Sequence, residues 1–192
     1  MIGFYAYLSR MKHIKRWGLM RNTETENIKE HSLDVAVIAH ALALIGNTYF
    51  GKNHDAEHIM ALAVFHETGE VITGALATPI KYFNPGVKDA FKAIERIASE
   101  KLLSYLPEDL REDYEPWLLP DENSPEWKLV KAADRISAYL KCIEEEKMGN
   151  RDFAYAKTSV LQSITMIDLP EVQAFMAEFV ASFSLSPDEL SR

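Results

Sequence analysis

Nearly the whole chain repeats one pattern. Apolar residues return every three or four positions over residues 3–15, 31–45, 57–72, 87–105, 126–147, 152–166 and 170–183. No segment of comparable length alternates with period two, so nothing in the chain asks for a sheet. An all-α helical bundle is the expectation. Asn27 followed by Glu30 reads as a capping box ahead of HSLDVAVIAHALALIG, and Gly46 marks the expected end of that helix. Gly149 and Asn150 are expected to separate the long helix from the next, and Pro170 suits a first helical turn. Two loops, residues 16–26 (RWGLMRNTETE) and 73–86 (TGALATPIKYFNPG), are rich in turn formers, and each adjoins a helix carrying candidate ligands.

The chain has 192 residues, enough for one domain with its own hydrophobic core, and no linker or internal repeat divides it. Hydrophobic residues at 47% and charged residues at 26% exclude a disordered chain. No apolar run approaches the roughly 20 residues that cross a bilayer. The N-terminus, MIGFYAYLSRMKHIKRW, mixes charge into its apolar residues where a signal peptide would have an unbroken core. The single cysteine, Cys142, has no internal partner for a disulfide. A cytoplasmic protein is the expectation.

A net charge of −8 argues against binding nucleic-acid polymers or anionic membranes, both of which want a basic footprint. The charge is uneven, however. Residues 1–23 hold Arg10, Lys12, Lys15, Arg16 and Arg21 with no acid, whereas residues 107–126 are dominated by Glu and Asp. A basic segment on an acidic protein can receive a small anion such as phosphate, although a solvated helix face explains it as well.

Candidate chemistry lies on the helices. His31 falls in a first helical turn; His66 and Glu67 are neighbours near the end of another helix, about 100° apart around its axis. Glu70, four residues after His66 and three after Glu67, is expected on their face. Asp134 sits in a stripe of Leu129, Val130, Ala133, Ile136 and Leu140, where a carboxylate needs compensation by a cation, by Lys131 or by Arg135. Two imidazoles and two carboxylates suit Mn²⁺, Fe²⁺, Co²⁺ or Zn²⁺ and suit Ca²⁺ poorly. HETGE is not a zinc-protease motif, since Glu70 stands where HExxH needs histidine. His54 and His58 are read as a capped, solvent-exposed helix start, and neither His13 nor His40 joins the set by spacing.

The segments EHS (30–32), FHETGEVITG (65–74), TPIKYFN (78–84) and KAADRISAYLKCIEE (131–145) resemble the HD-domain metal-dependent phosphohydrolases, specifically the bacterial 5′-deoxynucleotidases. LSRMKHIKRWGLMRNTETENIKEHS and the closing FVASFSLSPDEL are similar too, so the likeness spans nearly the whole chain. It implies an HD-domain helical bundle and a homodimer. The implied activity is hydrolysis of deoxyribonucleoside 5′-monophosphates with one divalent ion, Co²⁺ or Mn²⁺ foremost, Zn²⁺ or Fe²⁺ next. Carried over by position, the ligands would be His31, His66, Glu67 and Asp134, with His31 also facing substrate. Arg16 would orient the phosphate, Trp17 would face sugar or base, and Glu70 would move the proton. Thr78, Lys81 and position 75 would line the substrate, with Pro79 stiffening that loop. Two positions depart from the family pattern: Glu67 and Ala75 stand where it has aspartate. Alternative expectations are a related hydrolase of nucleoside triphosphates or modified nucleotides, a low-activity nucleotide-binding relative, and a helical interaction protein.

Overall fold

The computed structural model describes residues 3–77, 80 and 84–191. Thr78, Pro79 and Lys81 lie outside the described residues. Among the described residues the regular structure is helical, as the periodicity requires; an isolated antiparallel bridge joins Lys15 to Asn27. A short α1 (Phe4–Leu8) tightens into a 3₁₀ stretch, Ser9–His13, and leads into the loop that the Lys15–Asn27 bridge closes.

The centre of the bundle is α2 (Ile28–Phe50), which packs against α3 (Ala56–Phe65), α7 (Pro125–Lys147) and α9 (Pro170–Glu178). Its inward side, Val35, Ile38, Ala39, Leu42, Ala43 and Ile45, merges with Ile59, Leu62, Val130, Ala133, Ile136 and Val172 into one core. Alanines on that side let the neighbouring helices approach closely. By length and composition alone α2 could cross a bilayer. This corrects the expectation that no apolar run reaches that length. The core helix of a bundle meets the same requirement, because burial against three neighbours selects the same residues.

Helix ends depart from the sequence reading in two places. Gly46 lies inside α2, where a Cβ would stand 3.0 Å from the His54 ring; the helix ends instead at Gly51, in the left-handed conformation at φ 63°. The segment 57–72 is also broken. α3 stops at Phe65, residues 66–69 form tight turns, and α4 (Glu70–Thr73) follows. Thr68 bonds Phe65 O through both its amide (3.1 Å) and its hydroxyl (2.8 Å), and Glu70 N bonds Glu67 O at 3.0 Å, so the chain closes three-residue turns in place of helical ones. Gly69 fits because Ser99 and Glu95 of α5 (Pro85–Leu103) stand close to where a Cβ would be.

The acidic stretch hides α6 (Glu108–Leu118), which no apolar run announced. Leu110, Tyr114, Trp117 and Leu118 keep helical spacing, and Pro116 occupies its last turn. Phe4, Leu102, Leu106 and Leu118 form a second, smaller core that ties α1, α5 and α6 together. The 3₁₀ turn Arg151–Phe153 and α8 (Ala154–Thr165) follow Gly149, whose φ of 79° makes the expected break after α7. A 3₁₀ stretch, Val180–Ser184, and α10 (Pro187–Leu190) end the chain.

Candidate metal and substrate site

Three core segments converge at one end of the bundle. Asn27 caps α2 by accepting from the amides of Lys29 (3.0 Å) and Glu30 (3.1 Å), while Glu30 accepts from Asn27 N at 3.3 Å. The capped turn points His31 inward, with its side chain fully buried. α7 brings Asp134 against it, and His66 and Glu67 arrive on the turn after α3. His31 Nε2 lies 3.1 Å from Asp134 Oδ1 and 3.7 Å from Glu67 Oε1; His66 Nε2 lies 3.8 Å from Glu67 Oε1. One ligand atom from each of the four residues falls within 4.8 Å of all the others.

This donor set fits a divalent cation. Metal–ligand bonds of about 2.1 Å put ligands on opposite sides of an ion about 4.2 Å apart, close to the observed span. His66 Nε2 and Glu67 Oε2 are buried with no hydrogen-bond partner among the described residues, which is costly unless something else satisfies them. His66 donates from Nδ1 to Ala63 O at 2.6 Å, leaving the Nε2 lone pair directed at the cluster. His31 Nδ1 meets Ser137 Oγ at 3.1 Å and Glu26 Oε1 at 3.3 Å, acceptors that leave its Nε2 for a ligand.

The charges are strongly coupled. Burial works against a charge on His31, but Glu67 and hydrogen bonds to Asp134 and Glu26 outweigh burial and the nearby Arg16, so its pKa rises to about 9. Burial dominates at His66 and lowers its pKa to about 4. Burial raises the Asp134 carboxyl, yet Lys131, its direct ion-pair partner, and the two histidines hold it well below the ordinary range. Glu67 is likewise lowered against its burial, chiefly by Arg16 and then by His31 and His66. An ion-free cluster thus keeps a proton on His31 where a cation would take the charge.

Arg16 borders the cluster. Its Nη1 donates to Glu26 Oε1 at 3.1 Å and touches His31 Nδ1, while Nε stands 3.9 Å from Glu67 Oε2 and Nη2 stands 3.8 Å from Asp134 Oδ1. Burial disfavours its charge, but Glu67, Glu26, Asp134 and Glu70 together raise its pKa. Trp17 has a left-handed backbone, φ 57°, donates its indole N–H to Glu26 Oε2 at 2.7 Å, and packs on Phe153 with ring centres 5.1 Å apart.

The four sequence-derived ligand candidates therefore meet, with Arg16 and Trp17 beside them. Glu70 reaches this neighbourhood by opening α4 after a tight turn, where the sequence had suggested one continuous helix face. Ala75 lies just beyond α4 and presents only a methyl group. Thr78 and Lys81 fall outside the described residues. The reading of His54 is corrected: Asp55 caps α3 by accepting from His58 N at 2.9 Å, and His54 is tucked inward, with Nε2 3.7 Å from the buried Glu171. Glu26 and Ser137 were missed. Ser137 follows Asp134 by three residues in α7 and was within reach of helical spacing; Glu26, in an acidic turn, gave no such signal.

Comparisons with known proteins agree with this geometry. The profile of the 5′-deoxynucleotidase YfbR-like family matches residues 3–183. The 5′-deoxynucleotidase YfbR of Salmonella arizonae is 50% identical, with 98% of this chain and 96% of that protein covered. A 5′-deoxynucleotidase of Yersinia pestis is 51% identical, with 98% and 96% covered. Among solved structures, an HD-domain phosphohydrolase from Listeria innocua superposes with a TM-score of 0.84 at 19% identity, covering 98% of this chain and 91% of that one. The cyanophage S-2L HD phosphohydrolase DatZ, bound to dA and one catalytic Zn²⁺ ion, gives 0.66 at 20% identity, covering 93% and 95%. With a whole-chain family match and relatives at half identity, the chain belongs to the YfbR-like 5′-deoxynucleotidase family.

Proposed function

We propose that this protein hydrolyses deoxyribonucleoside 5′-monophosphates to deoxynucleoside and phosphate, using one divalent ion held by His31, His66, Glu67 and Asp134. The observation that carries the reading is the convergence of those four groups, with two buried ligand atoms that have no hydrogen-bond partner among the described residues, in a chain half identical to named 5′-deoxynucleotidases. Co²⁺ or Mn²⁺ is the favoured ion, with Zn²⁺ or Fe²⁺ compatible with the same donors.

A cation bound there supplies Lewis acidity, polarising a phosphoryl oxygen and making water nucleophilic near neutral pH. The chain's own residues do the rest. Arg16 orients the phosphate with a charged, planar fork. Trp17 faces the sugar or base. Glu70 accepts the proton of the attacking water as the O–P bond forms, and returns it to the 5′-oxygen as the P–O5′ bond breaks. Thr78 and Lys81 are assigned to the substrate on sequence grounds. The net charge of −8 supports a small substrate over a nucleic-acid polymer. Exposed Leu33, Val37 and Leu44, along one side of α2, support a homodimer, and a lone buried Cys142 supports a cytoplasmic home.

The second reading is a nucleotide-binding relative with slow turnover. Ala75 favours it, since a methyl group neither accepts a hydrogen bond nor moves a proton. Phosphate release from deoxynucleoside mono- and triphosphates, measured with bound metal quantified and Mn²⁺ or Co²⁺ added, tests both. Turnover confined to monophosphates supports the first reading; stoichiometric metal and nucleotide binding with no phosphate released overturns it in favour of the second.

A further inference from the structure

One carboxylate touches three members of the site without belonging to the candidate ligand set. Glu26 lies at the end of the loop that begins at Arg16, and the two residues are paired twice. The Arg16 amide donates to Glu26 O at 2.9 Å, and Arg16 Nη1 donates to Glu26 Oε1 at 3.1 Å. The second oxygen, Oε2, accepts the Trp17 indole N–H at 2.7 Å, and Oε1 also stands 3.3 Å from His31 Nδ1. The Glu26 side chain is only 10% exposed. A solvated acidic turn would not hold all of these contacts at once.

The arrangement decides which edge of the guanidinium is available. Glu26 holds Nη1, so the opposite edge, made by Nε and Nη2, faces the ligand cluster. There its ion pairs with described residues are long, 3.9 Å to Glu67 and 3.8 Å to Asp134, beyond hydrogen-bond length. That two-donor edge matches two oxygens of a phosphate. A cation among the carboxylates would weaken their hold on Arg16 further, leaving Glu26 as its hydrogen-bonded anchor. Trp17 is restrained by the same carboxylate, although its left-handed backbone is one that a bulky residue rarely adopts unless its surroundings hold it.

We propose that Glu26 is a positioning residue: one oxygen fixes Arg16 so that its Nε–Nη2 edge meets the substrate phosphate, and the other fixes Trp17 against the nucleoside. The inference rests on the phosphohydrolase reading of Arg16 and Trp17, and it goes beyond that reading by assigning their orientation to a single third residue. It separates two contributions that a merely structural acid would not separate. Glutamine at position 26 keeps an oxygen to accept from Trp17 but loses the charge that anchors Arg16. Alanine loses both.

The test is calorimetric binding to the Mn²⁺-loaded protein of a deoxynucleoside 5′-monophosphate made non-hydrolysable by a methylene in place of its bridging 5′-oxygen, and of the same deoxynucleoside without phosphate, alongside steady-state kinetics on the ordinary monophosphate. Glu26→Gln is expected to weaken the monophosphate about tenfold and leave the deoxynucleoside unchanged, whereas Glu26→Ala weakens both. In an Arg16→Ala background, Glu26→Gln is expected to change monophosphate binding less than twofold, because its effect passes through Arg16. Circular dichroism and metal content establish that each variant is folded and loaded; should Glu26→Ala not fold, the near-isosteric Glu26→Gln carries the test alone. Unchanged monophosphate binding by Glu26→Gln overturns the inference, as does full additivity with Arg16→Ala. Arg16→Ala that binds the monophosphate like the parent protein overturns the phosphate role of Arg16 itself, a failure distinguishable from that of Glu26.

Discussion

His66 donates its Nδ1 proton to the carbonyl oxygen of Ala63 at 2.6 Å, and that bond decides what the other ring nitrogen can do. A carbonyl only accepts, so the proton must sit on Nδ1 and Nε2 must present a lone pair. Burial lowers the pKa to about 4 and keeps the ring neutral. His66→Ala is expected to raise the Kd for Mn²⁺ or Co²⁺ at least about 100-fold with the helical content unchanged, as read by calorimetry and circular dichroism.

His31 should make metal uptake depend on pH. Its folded pKa, about 9, lies above the ordinary 6.5. In the ion-free protein the stability it contributes is complete below pH 6.5 and is lost as pH rises through about 9. A cation must displace that proton, so apparent affinity is expected to rise by up to about tenfold per pH unit between pH 7 and 8 and to level off above 9. Calorimetry in buffers of different ionisation enthalpy reads the proton released. A pH-independent affinity with no release would contradict this assignment.

The later part of the loop over residues 16–26 is held by a different device. Glu145, fully buried, accepts from the amides of Thr23 (2.9 Å) and Glu24 (3.2 Å), from Lys141 Nζ (2.5 Å) and from Asn150 Nδ2 (2.6 Å). Asn150 Nδ2 also donates to Arg21 O and Lys141 Nζ to Glu24 O. Glu145→Ala strands the buried Lys141 charge and is expected to cost about 3 kcal/mol in chemical denaturation. Faster hydrogen exchange at the Thr23 and Glu24 amides would localise the damage. Burial opposes the Glu145 charge, but these hydrogen bonds lower its pKa to about 2, so its contribution is present above pH 4.5 and lost as pH falls through about 2.

Ala75 and Glu67 make separate predictions. Ala75→Asp is expected to raise kcat/KM for a deoxynucleoside monophosphate by about tenfold or more with metal affinity unchanged, since it puts a polar group at a position proposed to line the substrate. Glu67→Asp shortens a ligand arm in a cluster shaped around the longer one, so its effect is expected in metal affinity, by about tenfold. Kinetics at saturating metal and calorimetric titration tell the two apart; an unchanged kcat/KM in Ala75→Asp would remove any case for a deficit there.

Much of this site could be read before its geometry was known, because its residues announce themselves by type. Two histidines and two acids among apolar helix positions need explaining, and those four meet. Elements that depend on local competition were less legible. The helix over 57–72 looked continuous because Val64, Phe65 and Val71 keep its period, yet the hydroxyl of Thr68 and the glycine at 69 favour turns there. Gly46 looked like a stop signal because spacing cannot show that His54 packs where its side chain would be. α6 was obscured by its acids and Pro116, and Glu26 by its place in a polar turn, since a partner across space leaves no periodic trace.

The candidate ligands come from α2, from the turn after α3 and from α7, and His31 and Asp134 are separated by 103 positions of chain. A cation gripped by all of them would join distant parts of the polypeptide as a removable cross-link does, restricting the unfolded chain most where the enclosed segment is longest. Starving the protein of its ion would then shorten the lifetime of the fold along with turnover, so inactivation by chelators and thermal fragility should appear together.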